Sequence, residues 1–194
     1  VKRSKIIFIT QSKFTFNTAA ACAGAFYLER NELLTIRNST FIKNAATMER
    51  AGAFYIEGST KIFIMQSHFL HNTAETYVGG VYIKKAKDTK PVTVTIIKES
   101  HFIGNLGKTD YTGGIYFKDG LLVVIINSKF INNKAASYGG AISLEVKDIK
   151  IIKTLFAKNT CTGNYGTGLY ADGRKIGIMI LSNSIFLYNN AGQR

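Results

Sequence analysis

Short apolar segments, separated by polar or small residues, run along the whole chain in a recurring order. One segment contains a hydroxyl residue, any residue, Phe, two residues and Asn. A second segment follows a small-residue turn, as at 24–28 and 140–144, and a third precedes the next Phe, as at 33–36, 92–97 and 122–126. The first segment recurs with Phe14, Phe41, Phe69, Phe102, Phe130, Phe156 and Phe186, each followed by Asn17, Asn44, Asn72, Asn105, Asn133, Asn159 and Asn189.

Three short strands in each repeat, with no helical period between them, predict a solenoid of stacked coils. We therefore expect an all-β fold, a right-handed parallel β-helix of about seven coils. Equivalent residues of successive coils would then lie above one another, about 4.8 Å apart. The Phe residues should form a buried aromatic stack and the Asn residues an internal amide ladder. The Gly before the second strand would provide either positive φ or close contact between coils.

We expect one repeat domain over residues 1–194, without evident terminal caps. A terminal coil without a polar cap would expose core residues and strand edges. The chain is therefore interpreted as a segment of a longer solenoid or as a protomer that stacks on other copies.

The Phe-x-x-Asn motif is paired with Gly-Gly-Ala-Ile at 139–142 and with looser forms at 79–81 and 113–115. This combination resembles the repeats of the chlamydial polymorphic outer-membrane proteins. The resemblance covers nearly the whole chain. It implies a right-handed β-helix exposed at the cell surface, where the passenger regions of that family are adhesin-like.

Charge adds an expectation about partners. The 25 Lys and Arg residues against 12 Asp and Glu residues give a net charge of +13, which favours acidic partners such as acidic glycans. The basic residues are spread over all coils rather than grouped with aromatic residues, so no nucleic-acid binding is predicted. The longest apolar run, 121–126, is too short to cross a bilayer as a helix, so we expect no transmembrane segment.

Two columns are predicted to point outward because side chains alternate along a strand. The tyrosine column could simply stabilise its face by stacking, bind a partner chain or stack on sugar rings. The apolar column that follows each Phe would mark a contact surface if it is exposed, or lie inside a corner. The first column contains Tyr27, Tyr55, Tyr82, Tyr116 and Tyr170, and the second Ile42, Leu70, Ile103, Ile131 and Leu187.

Catalytic and metal chemistry have weak support in the sequence. Glu29 with Glu57, and Glu145 with Asp172, would lie on adjacent rungs at a spacing that suits a retaining glycosidase. The characteristic motifs of the polygalacturonase-like enzymes are absent, however, so we expect no enzyme and no cofactor. His68 and His101 would be neighbours, but the sequence supplies no third ligand, so no metal site is predicted.

Cys22 and Cys161 would lie five rungs apart, too far for an internal disulfide, which leaves free thiols or bonds to other chains. Asn38 begins the sequon Asn-Ser-Thr, a possible N-glycosylation site. The expected function is a non-enzymatic structural or adhesive solenoid outside the cell or on its surface. It would belong to a surface protein or to a filament built by end-to-end or lateral self-association. A carbohydrate-binding or polysaccharide-cleaving β-helix is the alternative.

Overall fold

The computed structural model of the protein describes residues 1–86, 93–163 and 165–191. These residues form three parallel sheets that wind about one axis, and none of them lies in a helix. The prediction of an all-β parallel solenoid is confirmed. Sheets 2 and 3 each contain seven rungs.

Sheet 1 contains 11 strands and receives two segments from most turns. The second and third predicted segments therefore belong to one sheet. The second segments form Phe26–Glu29, Phe54–Glu57, Val81–Lys84 and Leu169–Ala171; the third segments form Ile6–Thr10, Leu33–Arg37, Lys61–Met65, Val94–Lys98 and Ile178–Ser182; the two are continuous in Ile115–Ile126 and Ile142–Ile152. The strand predicted from residue 92 begins at Val94, and residue 92 lies outside the described residues.

Sheet 2 carries the Phe residues, and sheet 3 follows the Asn residues. The strands of sheet 2 are Lys13–Thr15, Thr40–Ile42, His68–Leu70, His101–Ile103, Lys129–Ile131, Leu155–Ala157 and Ile185–Leu187. The strands of sheet 3 are Thr18–Ala19, Ala45–Ala46, Thr73–Ala74, Leu106–Gly107, Lys134–Ala135, Thr160–Cys161 and Asn190–Ala191. These two-residue strands were not predicted, because two residues are too few to show an alternating pattern.

Two columns of residues with positive φ turn the chain between sheets. The corner between sheets 1 and 2 contains Gln11, Asn38, Gln66, Glu99, Asn127, Lys153 and Asn183; the corner between sheets 2 and 3 contains Phe16, Lys43, His71, Gly104, Asn132, Lys158 and Tyr188. The left-handed conformation bends the backbone sharply within one residue. Because it recurs at the same place in every turn, successive strands remain in register.

The Phe and Asn residues form the two expected internal ladders. Phe41, Phe69, Phe102, Phe130 and Phe156 are fully buried, with neighbouring ring centroids 4.7–5.2 Å apart. The five asparagines from Asn44 to Asn159 are also fully buried, and each is hydrogen-bonded to the next.

The Phe and Asn side chains are less buried in the first and last of these turns. Phe14 is only half-buried, and Asn17 is exposed. Asn189 is half-buried, and the Phe186 ring, stacked on Phe156 at 4.5 Å, is 41% exposed. The physical reason is that each of these side chains has a ladder neighbour on one side only.

Of the two roles proposed for the Gly before the second strand, the structure supports close contact between coils. A Cβ atom on Gly80 would lie 2.2 Å from the carbonyl oxygen of Gly114. A Cβ on Gly114 would lie 2.4 Å from that of Ala141. Positive φ occurs at other glycines, Gly58 and Gly104.

Candidate functional site

The tyrosine column lies on the side of sheet 1 that faces away from the main core. Its rings stack along the axis, with centroids 5.2 Å apart for Tyr27 and Tyr55 and 5.1 Å apart for Tyr82 and Tyr116. Yet Tyr55 is 0%, Tyr82 4% and Tyr116 1% exposed, while Tyr27 and Tyr170 are half-buried. The tyrosine column therefore points away from the main core, but its three central members are covered rather than exposed.

A second tyrosine row covers the first. Tyr77, Tyr111, Tyr138 and Tyr165 stack on one another at 5.0, 5.1 and 4.6 Å. The Tyr111 ring also packs on Tyr116 at 5.1 Å. This row was not predicted from the sequence, although a Tyr stands shortly before each Gly-Gly pair at 79–80, 113–114 and 139–140.

Ring orientation restricts what the two rows can bind. Sugar rings stack on a free aromatic face, but most of these rings present their faces to the next ring, as Tyr77 does to Tyr111 with an interplanar angle of 5°. The most exposed member of the second row is Tyr165, at 49%. Of the three alternatives for the tyrosine column, this geometry favours mutual stacking that stabilises the face.

Carboxylates accept hydrogen bonds from the first tyrosine row. Tyr27 Oη donates to Glu29 Oε2 at 3.0 Å, and Tyr55 Oη donates to Glu57 Oε2 at 2.5 Å. Burial, followed by this hydrogen bond, raises the pKa of Tyr27 to about 12. The same bond is the main cause of the lowered pKa of Glu29, with the Lys2 ammonium contributing.

The two members of the second carboxylate pair, Glu145 and Asp172, contact different cations. Glu145 accepts a hydrogen bond from Tyr116 and lies 2.7 Å from Lys175 Nζ, which also contacts Asp119 at 3.0 Å. Asp172 is held by Arg174 at 2.9 Å, and this interaction lowers its pKa. The paired carboxylates are thus each engaged by a cation or a phenol.

A basic cleft lies beside this group of charges. It has a volume of about 410 Å³ and is lined by Lys84, Lys85, Ala86, Lys118 and Asp119. Lys84 contacts Glu57 at 3.5 Å, whereas Lys118 has no ion pair within the described residues. The cleft could therefore accept an anionic group.

The two histidines are brought together as predicted. His68 pairs with His101 in sheet 2, and their ring centroids are 4.8 Å apart. Burial, with the positive charges of His68 and Lys129, lowers the pKa of His101. Within residues 1–86, 93–163 and 165–191, no group of three or more His, Cys, Asp or Glu could hold a metal.

The apolar column of sheet 2 faces outward, as the first of its two alternatives required. Ile42, Leu70, Ile103 and Ile131 are paired in register and half-buried, and Leu187 is 44% exposed.

Asn38 is exposed at the corner before sheet 2, with a φ of 49°. Cys22 is half-buried, Cys161 is buried, and neither forms a disulfide.

A larger apolar surface on sheet 1 was not predicted from the sequence. It is formed by the outward side chains of the third segments, among them Phe8, Phe63, Ile96 and Val124. The available signal was the nearly continuous apolar character of 33–36, 94–97 and 121–126, which is typical of strands covered on both faces.

The parallel solenoid, with its in-register ladders, agrees with the comparison of the chain to known protein families. Residues 1–185 match the family described as right handed beta helix region. The chain belongs to this family. As a right-handed β-helix it shares its fold with enzymes and with proteins that catalyse no reaction. No curated protein and no solved structure matches the chain. Among the described residues of this β-helix, no helix is long and apolar enough to cross a membrane.

Proposed function

We propose that this β-helix is a non-enzymatic structural or adhesive rod that acts outside the cell, as part of a surface protein or a filament. The observation that carries the proposal is the in-register apolar column of Ile42, Leu70, Ile103 and Ile131 on the flat outer face of sheet 2. Such a surface suits contact with another macromolecule rather than enclosure of a small substrate.

Internal ladders support the structural part of the proposal. The Phe stack fills the core, and the Asn ladder links every turn to the next by side-chain hydrogen bonds. Each turn is therefore fixed to its neighbours along the axis, as a rod that transmits or resists force requires.

The non-enzymatic part rests on the carboxylates. Glu29 and Glu57 accept phenolic hydrogen bonds, while Glu145 and Asp172 contact Lys175 and Arg174. Catalysis by a carboxylate pair needs one acid and one base directed at the same bond. Here the two members of each pair are directed at separate partners.

Two observations support a location outside the cell. The repeats resemble those of the chlamydial polymorphic outer-membrane proteins, whose β-helices are surface-exposed. The sequon residue Asn38 is exposed at a corner, where an attached glycan would point into solvent. Protease treatment of intact source cells tests this location. If the chain lies outside the cell, the protease should cleave it while cytoplasmic proteins remain intact.

Adhesion is tested with beads coated with the chain and incubated with cells. We expect wild-type beads to attach, and the double variant Leu70→Lys, Ile103→Lys to lose attachment because charges interrupt the apolar column. The matched control is Thr73→Lys, Leu106→Lys, which places the same charges in the same turns on sheet 3. Attachment no greater than that of albumin-coated beads, or equal loss in both variants, contradicts an adhesive role for sheet 2.

Catalysis is tested on a panel of neutral and acidic polysaccharides by following new reducing ends and unsaturated products. We expect no turnover above that of heat-unfolded chain. Turnover that disappears in Glu145→Gln would make the protein a polysaccharide-cleaving enzyme and end the non-enzymatic proposal.

Binding of acidic glycans is the second candidate, favoured by the basic cleft, in which Lys118 has no ion pair among the described residues. Retention on an immobilised polyuronate column should decrease with salt and should decrease further in Lys118→Ala. Lys153→Ala, at an exposed corner outside the cleft, is the control. Equal effects of the two substitutions would indicate retention by net charge alone.

A further inference from the structure

A large apolar surface on the described part of the protein is the outer side of the third segments of sheet 1, here called the lateral face. Seven strands contribute three outward residues each, and the strands are paired in register along the whole face. The first column is Ile6, Leu33, Lys61, Val94, Leu122, Asp148, Ile178; the middle column is Phe8, Thr35, Phe63, Ile96, Val124, Lys150, Ile180; the third column is Thr10, Arg37, Met65, Lys98, Ile126, Ile152, Ser182.

Most of these side chains are apolar and none is buried. Phe8 is 65% and Ile180 46% exposed, while Phe63, Ile96 and Val124 are half-buried by their neighbours in the ladder. An apolar sheet face of this extent is typical of a contact surface. Two shallow clefts lie at its edges, one beside Ile6 and Leu33 and one beside Met65.

The size of the lateral face suits a dimer. Seven strands about 4.8 Å apart, with five residues each at about 3.3 Å, cover roughly 550 Å². Two copies packed face to face would bury about 1,100 Å² in total, slightly above the roughly 1,000 Å² that a specific interface needs.

The order of the residues is self-complementary. A two-fold axis parallel to the rod would place the middle column over itself and the first column over the third column of the same turn. Arg37 would then lie over Leu33, Lys61 over Met65, and Lys98 over Val94. Long cationic side chains can cover apolar residues with their aliphatic stems while the charged groups reach solvent at the rim. Two residues are exceptions: Lys150 would face its own copy, and Asp148, whose side chain is short, would lie over Ile152.

We propose that the lateral face binds the lateral face of a second copy of this chain, in a two-fold dimer with parallel rods. The inference rests on the structural role proposed above and names its partner. Aligned packing of two sheets about 10 Å apart is the geometry of β-sandwiches, in which inner-face side chains interdigitate. Phe63, Ile96 and Val124 would form the centre of the interface.

Charge predicts how this dimer responds to salt. Each copy has a net charge of +13, and in the proposed dimer Lys61 of one copy would lie between Arg37 and Lys98 of the other at the rim. Repulsion between the copies is screened as ionic strength rises, while the apolar contact is retained. The dimer should therefore become tighter with salt, the opposite of an interface held by ion pairs.

The test is analytical ultracentrifugation of the full chain in reducing buffer, over a range of concentrations at low and high salt. We expect a monomer–dimer equilibrium that shifts towards dimer with salt. Val124→Lys should weaken the dimer at least about 100-fold, because it brings two new like charges together in the middle column. Leu106→Lys, a matched substitution on sheet 3, should leave it unchanged.

Lys150→Ile provides a gain-of-function test. Removing the one like-charge pair in the middle column should tighten the dimer by about tenfold or more. A chain that stays monomeric at high salt even as Lys150→Ile overturns the proposal. So does an oligomer that is insensitive to Val124→Lys, or a monomer that binds anionic vesicles through the lateral face.

The dimer and the proposed function fail in different ways. Ultracentrifugation uses purified chain without cells or glycans, whereas the bead assay probes sheet 2. If the chain is monomeric but its beads still attach to cells, only the dimer proposal is contradicted. If the chain forms a salt-dependent dimer but its beads attach to no cells, the lateral interface is supported and the adhesive role is contradicted.

Discussion

Asn72 and Asn105 are joined by two hydrogen bonds to one oxygen atom: both the backbone N–H and the side-chain Nδ2 of Asn72 donate to Oδ1 of Asn105, each at 3.0 Å. The Nδ2 group of Asn105 donates in turn to Asn133 Oδ1 and to the carbonyl of Phe69, both at 2.9 Å. The buried side-chain amide of Asn105 is therefore hydrogen-bonded to the turns on both sides of its own.

Asn105→Ala should destabilise the protein by about 3 kcal/mol or more, because it leaves several buried donors and acceptors without partners. Urea unfolding followed by circular dichroism measures the change. Asn17→Ala is the control, since the Asn17 side chain is exposed and, among the described residues, bonded to Asn44 only, and it should cost less than about 1 kcal/mol. Equal losses in the two variants would show that the ladder does not depend on burial.

The Phe stack gives a second prediction. Phe102 is fully buried between Phe69 at 4.7 Å and Phe130 at 4.8 Å. Phe102→Ala should lower the free energy of unfolding by about 3–5 kcal/mol through lost burial and a residual cavity. Phe16→Ala removes a ring that is 69% exposed and should change stability by less than about 1 kcal/mol. A small effect of Phe102→Ala would mean that the turns can collapse around the missing ring.

The ladders could be predicted from sequence because each depends on one residue type at one place in the repeat. Phe102 and Asn105 occupy that place regardless of what surrounds the rod. The burial of Tyr55 could not be predicted in this way, because alternation gives only the direction of a side chain. Whether Tyr55 is covered depends on a separate segment that brings Arg50 over its ring, as the same segment of the next turn brings Tyr77 over Tyr82.

The lateral face was missed for a related reason. Alternation assigns Ile96 and Val124 to the outer side of sheet 1, but their apolar character was interpreted only as evidence for strands. A continuous apolar run also indicates that both sides of the strand are covered. The spacing of apolar residues in the sequence does not identify what covers them. The register of the seven strands does show which columns of two facing copies would lie opposite each other.

Alkaline pH should weaken the fold through the tyrosine rows. Burial raises the pKa values of Tyr55, Tyr82 and Tyr116, and raises that of Tyr27 to about 12. The unfolded chain releases these phenolic protons near pH 10, whereas the folded chain retains them. The stabilisation is therefore complete below about pH 10 and is lost as pH rises through the folded-state values, up to about pH 12 for Tyr27.

Urea unfolding between about pH 9 and about pH 11 measures this loss. The double variant Tyr55→Phe, Tyr116→Phe should show a shallower decline than the wild type, since it lacks two of the phenols. The comparison between the two proteins removes the contribution of lysine deprotonation, which they share. Parallel pH profiles would show that these phenols are not responsible for the alkaline loss.

The two cysteines should differ sharply in reactivity. Cys161 is fully buried in sheet 3, and its burial raises the pKa of the thiol. Because the thiolate is the reactive form, both effects slow alkylation. Cys22, which is half-buried, is the thiol that reagents can reach in the folded protein.

Alkylation followed by mass spectrometry should therefore modify Cys22 in the native protein and both cysteines in urea, with native Cys161 slower by about 100-fold or more. The Cys22→Ser variant should remain unlabelled until it unfolds, and it should also lose any disulfide-linked dimer that forms under oxidising conditions. Rapid native labelling of Cys161 would mean that the short strand Thr160–Cys161 separates from its neighbours Lys134–Ala135 and Asn190–Ala191. In that case sheet 3 would open locally while the Phe and Asn ladders remained closed.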